Sequence, residues 1–144
     1  MSENNTKFYI NGVWVDPVVP KLFDVINPAT EEVAGQISLG GKRDVNRAVS
    51  AARRAFPRYA AMTREQRLDL LRKIIELYEA RSAELARAMT DEMGSPITFS
   101  NEVQTVNALA HFKEMVSVLQ AYEFEHFMGS TLVRREPIGV MHLI

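Results

Sequence analysis

The 144-residue chain contains no cysteine. That excludes disulfides, thiolate zinc sites and a cysteine nucleophile from this stretch. It has no run of about 18 apolar residues, so no membrane-spanning helix is expected. Charge of either sign is not in excess: 17 Lys and Arg against 18 Asp and Glu give a formal net charge of −1. The basic and acidic residues are interspersed, so there is no field to draw nucleic acid or an anionic membrane. The opening Met1-Ser2-Glu3-Asn4-Asn5-Thr6 lacks the basic and apolar stretches of a signal peptide, and a cytoplasmic location is expected. Gly40-Gly41 is a pair, not a phosphate-binding fingerprint. His111, His126 and His142 lack metal-ligand spacing and read as structural residues. There is no internal repeat and no low-complexity tract.

What is present is an ordinary globular composition, 47% hydrophobic and 24% charged, in a length suited to one domain. Asn11-Gly12 between Phe8-Tyr9-Ile10 and Val13-Trp14-Val15 is a strong hairpin signal. After Pro17 and Pro20, residues 22–26 read as an extended run turned by Asn27-Pro28-Ala29-Thr30. Residues 33–39 form a second strand, closed by Gly40-Gly41.

The period then changes to 3.6 residues. Val45, Ala48, Val49, Ala52 and Phe56 share one helix face, with Gly41 at the N-cap and Asp44 three residues on, and Pro57 is expected to end the helix. Thr63-Arg64-Glu65-Gln66 is a capping box. It opens a helix with Leu68, Leu71, Ile75 and Tyr78 in one row and Leu70, Ile74 and Leu77 in the next. So wide an apolar face calls for burial on more than one side. A shorter helix with Leu85, Ala88 and Met89 follows and ends at Gly94. Ser95-Pro96 reads as N-cap and N1 of a long helix to about Tyr122. Phe99, Val103, Val106, Leu109, Ala110, Phe112, Val116 and Leu119 are expected to face inward along it.

Gly129-Ser130 marks a turn, and residues 131–136 alternate like an exposed strand. Arg134-Arg135-Glu136 reads either as a charged edge that guards a strand against aggregation or as part of an intersubunit strand. Asp91-Glu92 lies near a helix C-terminus, where a carboxylate opposes the helix dipole. It is either a solvated helix end or a carboxylate paired with a cation. Pro137 to Ile144 reads as a core strand without turn, cap or polar tail, which suggests either further sequence or a surface that a partner covers.

These signals, in their order, resemble the opening of the aldehyde dehydrogenase superfamily. The resemblance rests on Phe8-Tyr9-Ile10-Asn11-Gly12-Val13-Trp14, Val25-Ile26-Asn27-Pro28-Ala29-Thr30, Asp44-Val45 before Ala48-Val49-Ala51-Ala52-Phe56, Glu92-Met93-Gly94-Ser95-Pro96, and Arg135-Glu136-Pro137-Ile138-Gly139-Val140. It runs in family order over essentially the whole chain. Ser95 stands where the family commonly has Lys, and Met141-His142 where it has small residues.

The resemblance implies an α/β fold, the amino-terminal part of the aldehyde dehydrogenase fold: small β-hairpins, a helical bundle and an extended oligomerisation-type arm. Residues 1–127 would be the helical part of the dinucleotide-binding domain, 128–140 the arm, and 141–144 the truncated start of the first core strand of the nucleotide-binding sheet. It also implies a parent enzyme that uses NAD or NADP, oxidises an aldehyde substrate to a carboxylate through a cysteine thioester, and assembles as a homo-oligomer. The family's oxyanion Asn, cofactor lysine, general-base Glu and nucleophilic Cys all follow the Pro-Ile-Gly-Val strand, so no catalytic residue is expected within residues 1–144. Ile144 would border the cofactor site. Val25 and Ile26 carbonyls with Glu92 would hold a monovalent cation. The rival reading is a free-standing, truncated helical interaction module.

Overall fold

A computed structural model describes residues 4–141. Among the described residues, three separate two-stranded antiparallel sheets punctuate the chain, with the helices between the second and the third. β1 (Phe8–Ile10) pairs with β2 (Val13–Val15) across Asn11-Gly12. Both turn residues have positive φ, 55° and 82°, as a type I′ turn requires. β3 (Leu22–Ile26) pairs with β4 (Val33–Ser38), and their register shifts between Val25 and Ile26.

α1 (Lys42–Ala60) begins as its sequence indicates. The Asp44 carboxylate accepts from the Gly41 N–H at 3.0 Å and also from the Val18 N–H at 2.9 Å, tying the proline-flanked linker to the helix start. Asp44 is buried, and these main-chain donors, Val18 first, hold its pKa below the ordinary 3.8.

Pro57 does not end α1, which runs on for three residues. Proline at this point costs one helical hydrogen bond. The last turn is held instead by the Ala61 N–H on the Pro57 carbonyl and by Arg67 of the next helix. The Arg67 guanidinium donates to the carbonyls of Tyr59, Ala60 and Met62 at 3.0, 3.1 and 3.3 Å and lies 5.0 Å over the Tyr59 ring. A side chain distant in the helix pattern thus satisfies the orphan carbonyls.

α2 (Arg64–Ala80) carries both bonds of the capping box, Gln66 N–H to Thr63 Oγ1 and Thr63 N–H to Gln66 Oε1. Its two apolar rows differ. Leu68 is fully buried and Tyr78 packs on Phe112, whereas Leu70 and Leu77 are exposed. The Tyr78 hydroxyl is buried without a hydrogen-bond partner among the described residues. α3 (Ser82–Met93) ends on Gly94, whose φ of 70° is the left-handed cap that glycine suits.

The following helix is not a single α-helix. α4 (Ile97–Phe99) passes into a π-helical turn over Ser100–Gln104 and then into α5 (Thr105–Ala121). Ser95-Pro96 is not the N-cap and N1 pair: Pro96 holds the cap position, and the Ser95 hydroxyl bonds Gln104 instead. The π turn, closed by the Thr105 N–H on the Ser100 carbonyl, advances the buried stripe by five residues instead of four. Ser100 and Thr105 are therefore the buried residues. Phe99, Val103, Val106 and Ala110 turn outward, against the regular 3.6 period, while Leu109, Phe112, Val116 and Leu119 are half-buried.

β5 (Glu125–Met128) and β6 (Thr131–Arg134) close the described chain as a hairpin around Gly129, with φ 61°. The core is thin. Among the described residues, the buried hydrophobic ones are Ala51, Leu68 and Ala86.

Candidate functional site

Two polar junctions hold these elements together. The first joins the end of α3 to the turn after β3. The Asn27 side chain accepts from the Ala29 N–H at 2.9 Å and donates to the Thr90 carbonyl at 3.4 Å. Gly94 closes the contact. A Cβ there would lie 2.9 Å from both the Ala29 Cβ and its backbone nitrogen, so only glycine fits both the space and the backbone angle.

Behind this contact lies a chain of neutral side chains. The Ser95 and Ser100 hydroxyls each donate to Gln104 Oε1 at 3.2 Å. Thr90 Oγ1 sits 3.3 Å from Ser100 Oγ and 3.1 Å from the Ala86 carbonyl, two acceptors for its one proton. The fully buried Ser100 is thereby satisfied, as a buried hydroxyl must be. The network fastens the π turn to α3.

The expected cation ligands fall around this junction. Val25 and Ile26 stand where the β3–β4 register shifts, just before the Asn27 turn, and Glu92 lies in the last turn of α3, the helix that packs on that turn. The Glu92 side chain is exposed and has no ion pair among the described residues, whereas Asp91 pairs with Arg87 at 3.2 Å. The structure thus brings the two segments together. Ile144, expected at the cofactor, lies outside the described residues. Ile138 and Met141 are strongly exposed and face, across an open cleft, the Ala48, Val49, Ala52 and Phe56 side of α1.

The second junction is charged. Tyr122 and Phe124, at the foot of the β5–β6 hairpin, meet edge to face at 4.9 Å. Arg64 lies 5.8 Å over the Phe124 ring and donates to the Tyr122 carbonyl. Arg135 lies 5.2 Å over the Tyr122 ring, donates to the Glu123 carbonyl at 3.0 Å, and extends the hairpin ladder through its N–H to the Phe124 carbonyl at 2.8 Å. Arg134 pairs with Glu125 at 2.7 Å and with Glu136 at 3.8 Å. A cleft of about 790 Å³ opens between this hairpin and the α1–α2 junction.

With this geometry in hand, the likeness to known proteins is specific. The aldehyde dehydrogenase family profile matches residues 14–144. The chain belongs to the aldehyde dehydrogenase family. Among its curated relatives, 3-succinoylsemialdehyde-pyridine dehydrogenase of a Pseudomonas species is 44% identical over 139 residues, covering 96% of this chain and 29% of the relative. Aldehyde dehydrogenase C of Pseudomonas syringae, solved with NAD+ and octanal, superimposes with a TM-score of 0.91 at 39% identity. That match covers 94% of this chain and 28% of the other. The aldehyde dehydrogenase of Bartonella henselae gives 0.85 at 37% identity, over 88% of this chain and 27% of that one. The chain thus spans under a third of the length of the relatives it matches.

The family's amino-terminal fold is therefore the one observed, hairpins and helices in the same order. Sequence reasoning missed two features of the site. The β5 strand went unrecognised because Glu125-His126-Phe127-Met128 places two polar residues before two apolar ones and so lacks the period-two alternation of a strand. The arginine-lined cleft was equally unseen, because Arg64 and Arg135 lie far apart in sequence and meet only through Tyr122 and Phe124. Among the described residues no helix is long and apolar enough to cross a membrane.

Proposed function

We propose that these residues are the amino-terminal scaffold of an NAD(P)-dependent enzyme that oxidises an aldehyde to a carboxylate through a cysteine thioester, and that the 144-residue chain alone is inactive. The match of residues 14–144 to the family carries this reading. The absence of cysteine supports the second half, since the covalent step needs a thiolate that these residues do not supply. NAD or NADP accepts hydride in such chemistry, and the relative solved with NAD+ and octanal favours NAD. The role of these residues is to support the dinucleotide fold. The purified chain, mixed with NAD+ and octanal, is expected to form no NADH. NADH formation would refute inactivity, and a native polypeptide ending at Ile144 would refute the scaffold reading in favour of a free-standing interaction module.

Three finer assignments accompany this reading. Residues 128–140 act as an intersubunit arm of a homo-oligomer, supported by the two-stranded hairpin whose outer edges are unpaired among the described residues. Val25, Ile26 and Glu92 bind a monovalent cation. The register shift at Val25/Ile26 and the packing of α3 on the Asn27 turn favour it, and hard oxygen ligands suit Na+ or K+. Sodium and potassium titrations of thermal stability, in wild type and Glu92→Gln, are expected to differ; identical responses would remove the site. Ile144 borders the cofactor, and a cofactor-bound structure of the whole enzyme with Ile144 remote from it would dispose of that assignment.

A further inference from the structure

Seven asparagines are spread along the chain, and one of them, Asn11, is followed by glycine. The backbone nitrogen of the next residue can attack an asparagine side-chain amide. What that nitrogen and that amide already do therefore decides which asparagine reacts. Asn46, Asn101 and Asn107 lie within α1, the π turn and α5, where the helical backbone binds the following N–H and fixes its direction. Asn27 has its side chain held by the Ala29 N–H and the Thr90 carbonyl, and the next residue, Pro28, has no N–H. Asn4 and Asn5 are followed by Asn5 and Thr6, whose side chains crowd the attacking nitrogen.

Asn11 has none of these restraints. It and Gly12 are exposed, and among the described residues neither the Asn11 side chain nor the Gly12 N–H makes a hydrogen bond. A Cβ placed on Gly12 would meet no atom within 4 Å, so the turn is open to solvent on that side. The flanking strands have three residues each and, among the described residues, pair only with one another. Hairpins so short open easily, which releases the turn from its two positive φ angles and lets the nitrogen reach the amide carbon.

We propose that Asn11-Gly12 is a site of spontaneous deamidation and backbone isomerisation. The Gly12 nitrogen bonds to Asn11 Cγ, the Cγ–Nδ2 bond breaks, and Nδ2 leaves as ammonia with the Gly12 proton. A five-membered succinimide remains, and water opens it. Hydrolysis of its Cγ–N bond gives aspartate. Hydrolysis of its backbone C–N bond gives isoaspartate, whose main chain runs through the former side chain. Both products add a negative charge to a chain whose net charge is −1. Isoaspartate also lengthens a two-residue loop whose turn type demands a fixed backbone geometry. The product therefore loses the Tyr9–Trp14 ring contact at 5.2 Å and loosens β1 from Ala48, Ala51 and Ala52 of α1, against which it lies. The inference goes beyond the dehydrogenase reading and does not depend on it.

The test is peptide mass spectrometry of the chain after timed incubation at mildly alkaline pH, with isoaspartate told from aspartate by enzymatic methylation of its α-carboxylate. Asn11 is expected to convert at least about tenfold faster than any other asparagine, to a mixture of isoaspartate and aspartate. Gly12→Ala puts a Cβ beside the attacking nitrogen but also strains a backbone at φ 82°. Its rate is therefore compared with wild type in urea, where neither protein keeps the hairpin, and should be at least about fivefold slower there. The separated isoaspartate form of the folded chain should show red-shifted emission from Trp14, the one tryptophan. Conversion of Asn11 no faster than of Asn101 or Asn107, aspartate without isoaspartate, or an unchanged rate in Gly12→Ala would overturn the site. Trp14 emission identical to that of the unmodified chain would overturn the loosening of the hairpin.

Discussion

The two junctions use opposite chemistry for the same task of joining distant segments. Around α3 and the π turn, the contacts are neutral and partly to fully buried: Ser100 is fully enclosed, and its hydroxyl, those of Ser95 and Thr90, and the Gln104 amide satisfy one another. Around the β5–β6 hairpin, they are ionic and wet, and the Arg134–Glu125 pair is about half exposed on both sides. Buried neutral networks are costly to break because each lost partner leaves a desolvated group. Exposed ion pairs are screened and contribute little. The first junction therefore carries stability, and the second adds little to it.

Substitutions should separate the two. The largest effect is expected for Gly94→Ala, which forces a side chain into a left-handed backbone and within 2.9 Å of Ala29. Strain and overpacking together should cost about 3 kcal/mol, read from urea unfolding. A loss under about 1 kcal/mol would mean that the α3–Asn27 contact yields easily. Ser100→Ala removes one buried donor and leaves Thr90 with only the Ala86 carbonyl; about 1–2 kcal/mol should be lost.

Asp44 links the linker to α1 by the same buried logic, but with a titratable group. Its folded pKa lies below 3.8, so its contribution is complete above that pH and is lost as pH falls through the lowered folded value. Asp44→Asn should flatten the decline in stability below about pH 4; an unchanged acid slope would assign the decline to other carboxylates. The smallest effect is expected at the charged junction, where Arg134→Gln should change stability by less than about 0.5 kcal/mol. A loss above about 1.5 kcal/mol would erase the contrast between the junctions.

Much of the fold was legible because its signals are local. Asn11-Gly12 dictates the first turn, and Thr63 with Gln66 dictates the start of α2. Gly94 marks an end that only left-handed backbone makes. What escaped was tertiary. A π turn leaves no mark in composition, since the apolar residues 99, 103 and 106 keep a perfect helical spacing while the backbone rotates them outward. Pro57 failed as a stop because Arg67, from another helix, holds the turn beyond it. The candidate site was legible only in part. Glu92 and the Asn27 turn were paired through family likeness, and the structure brings their segments together. The cleft arises from arginines in separate elements, which no periodicity links.

Native-state amide hydrogen exchange of the 144-residue chain tests the contrast most directly, since it reports each junction separately. The Thr105 amide, bonded to the Ser100 carbonyl in the π turn, should exchange only through global unfolding and should not respond to salt. The Arg135 amide, bonded to the Phe124 carbonyl at the hairpin foot, should exchange at least about a hundredfold faster and faster still between about 0.05 M and about 0.5 M salt. Equal protection of the two amides, with no salt response at Arg135, would contradict the account.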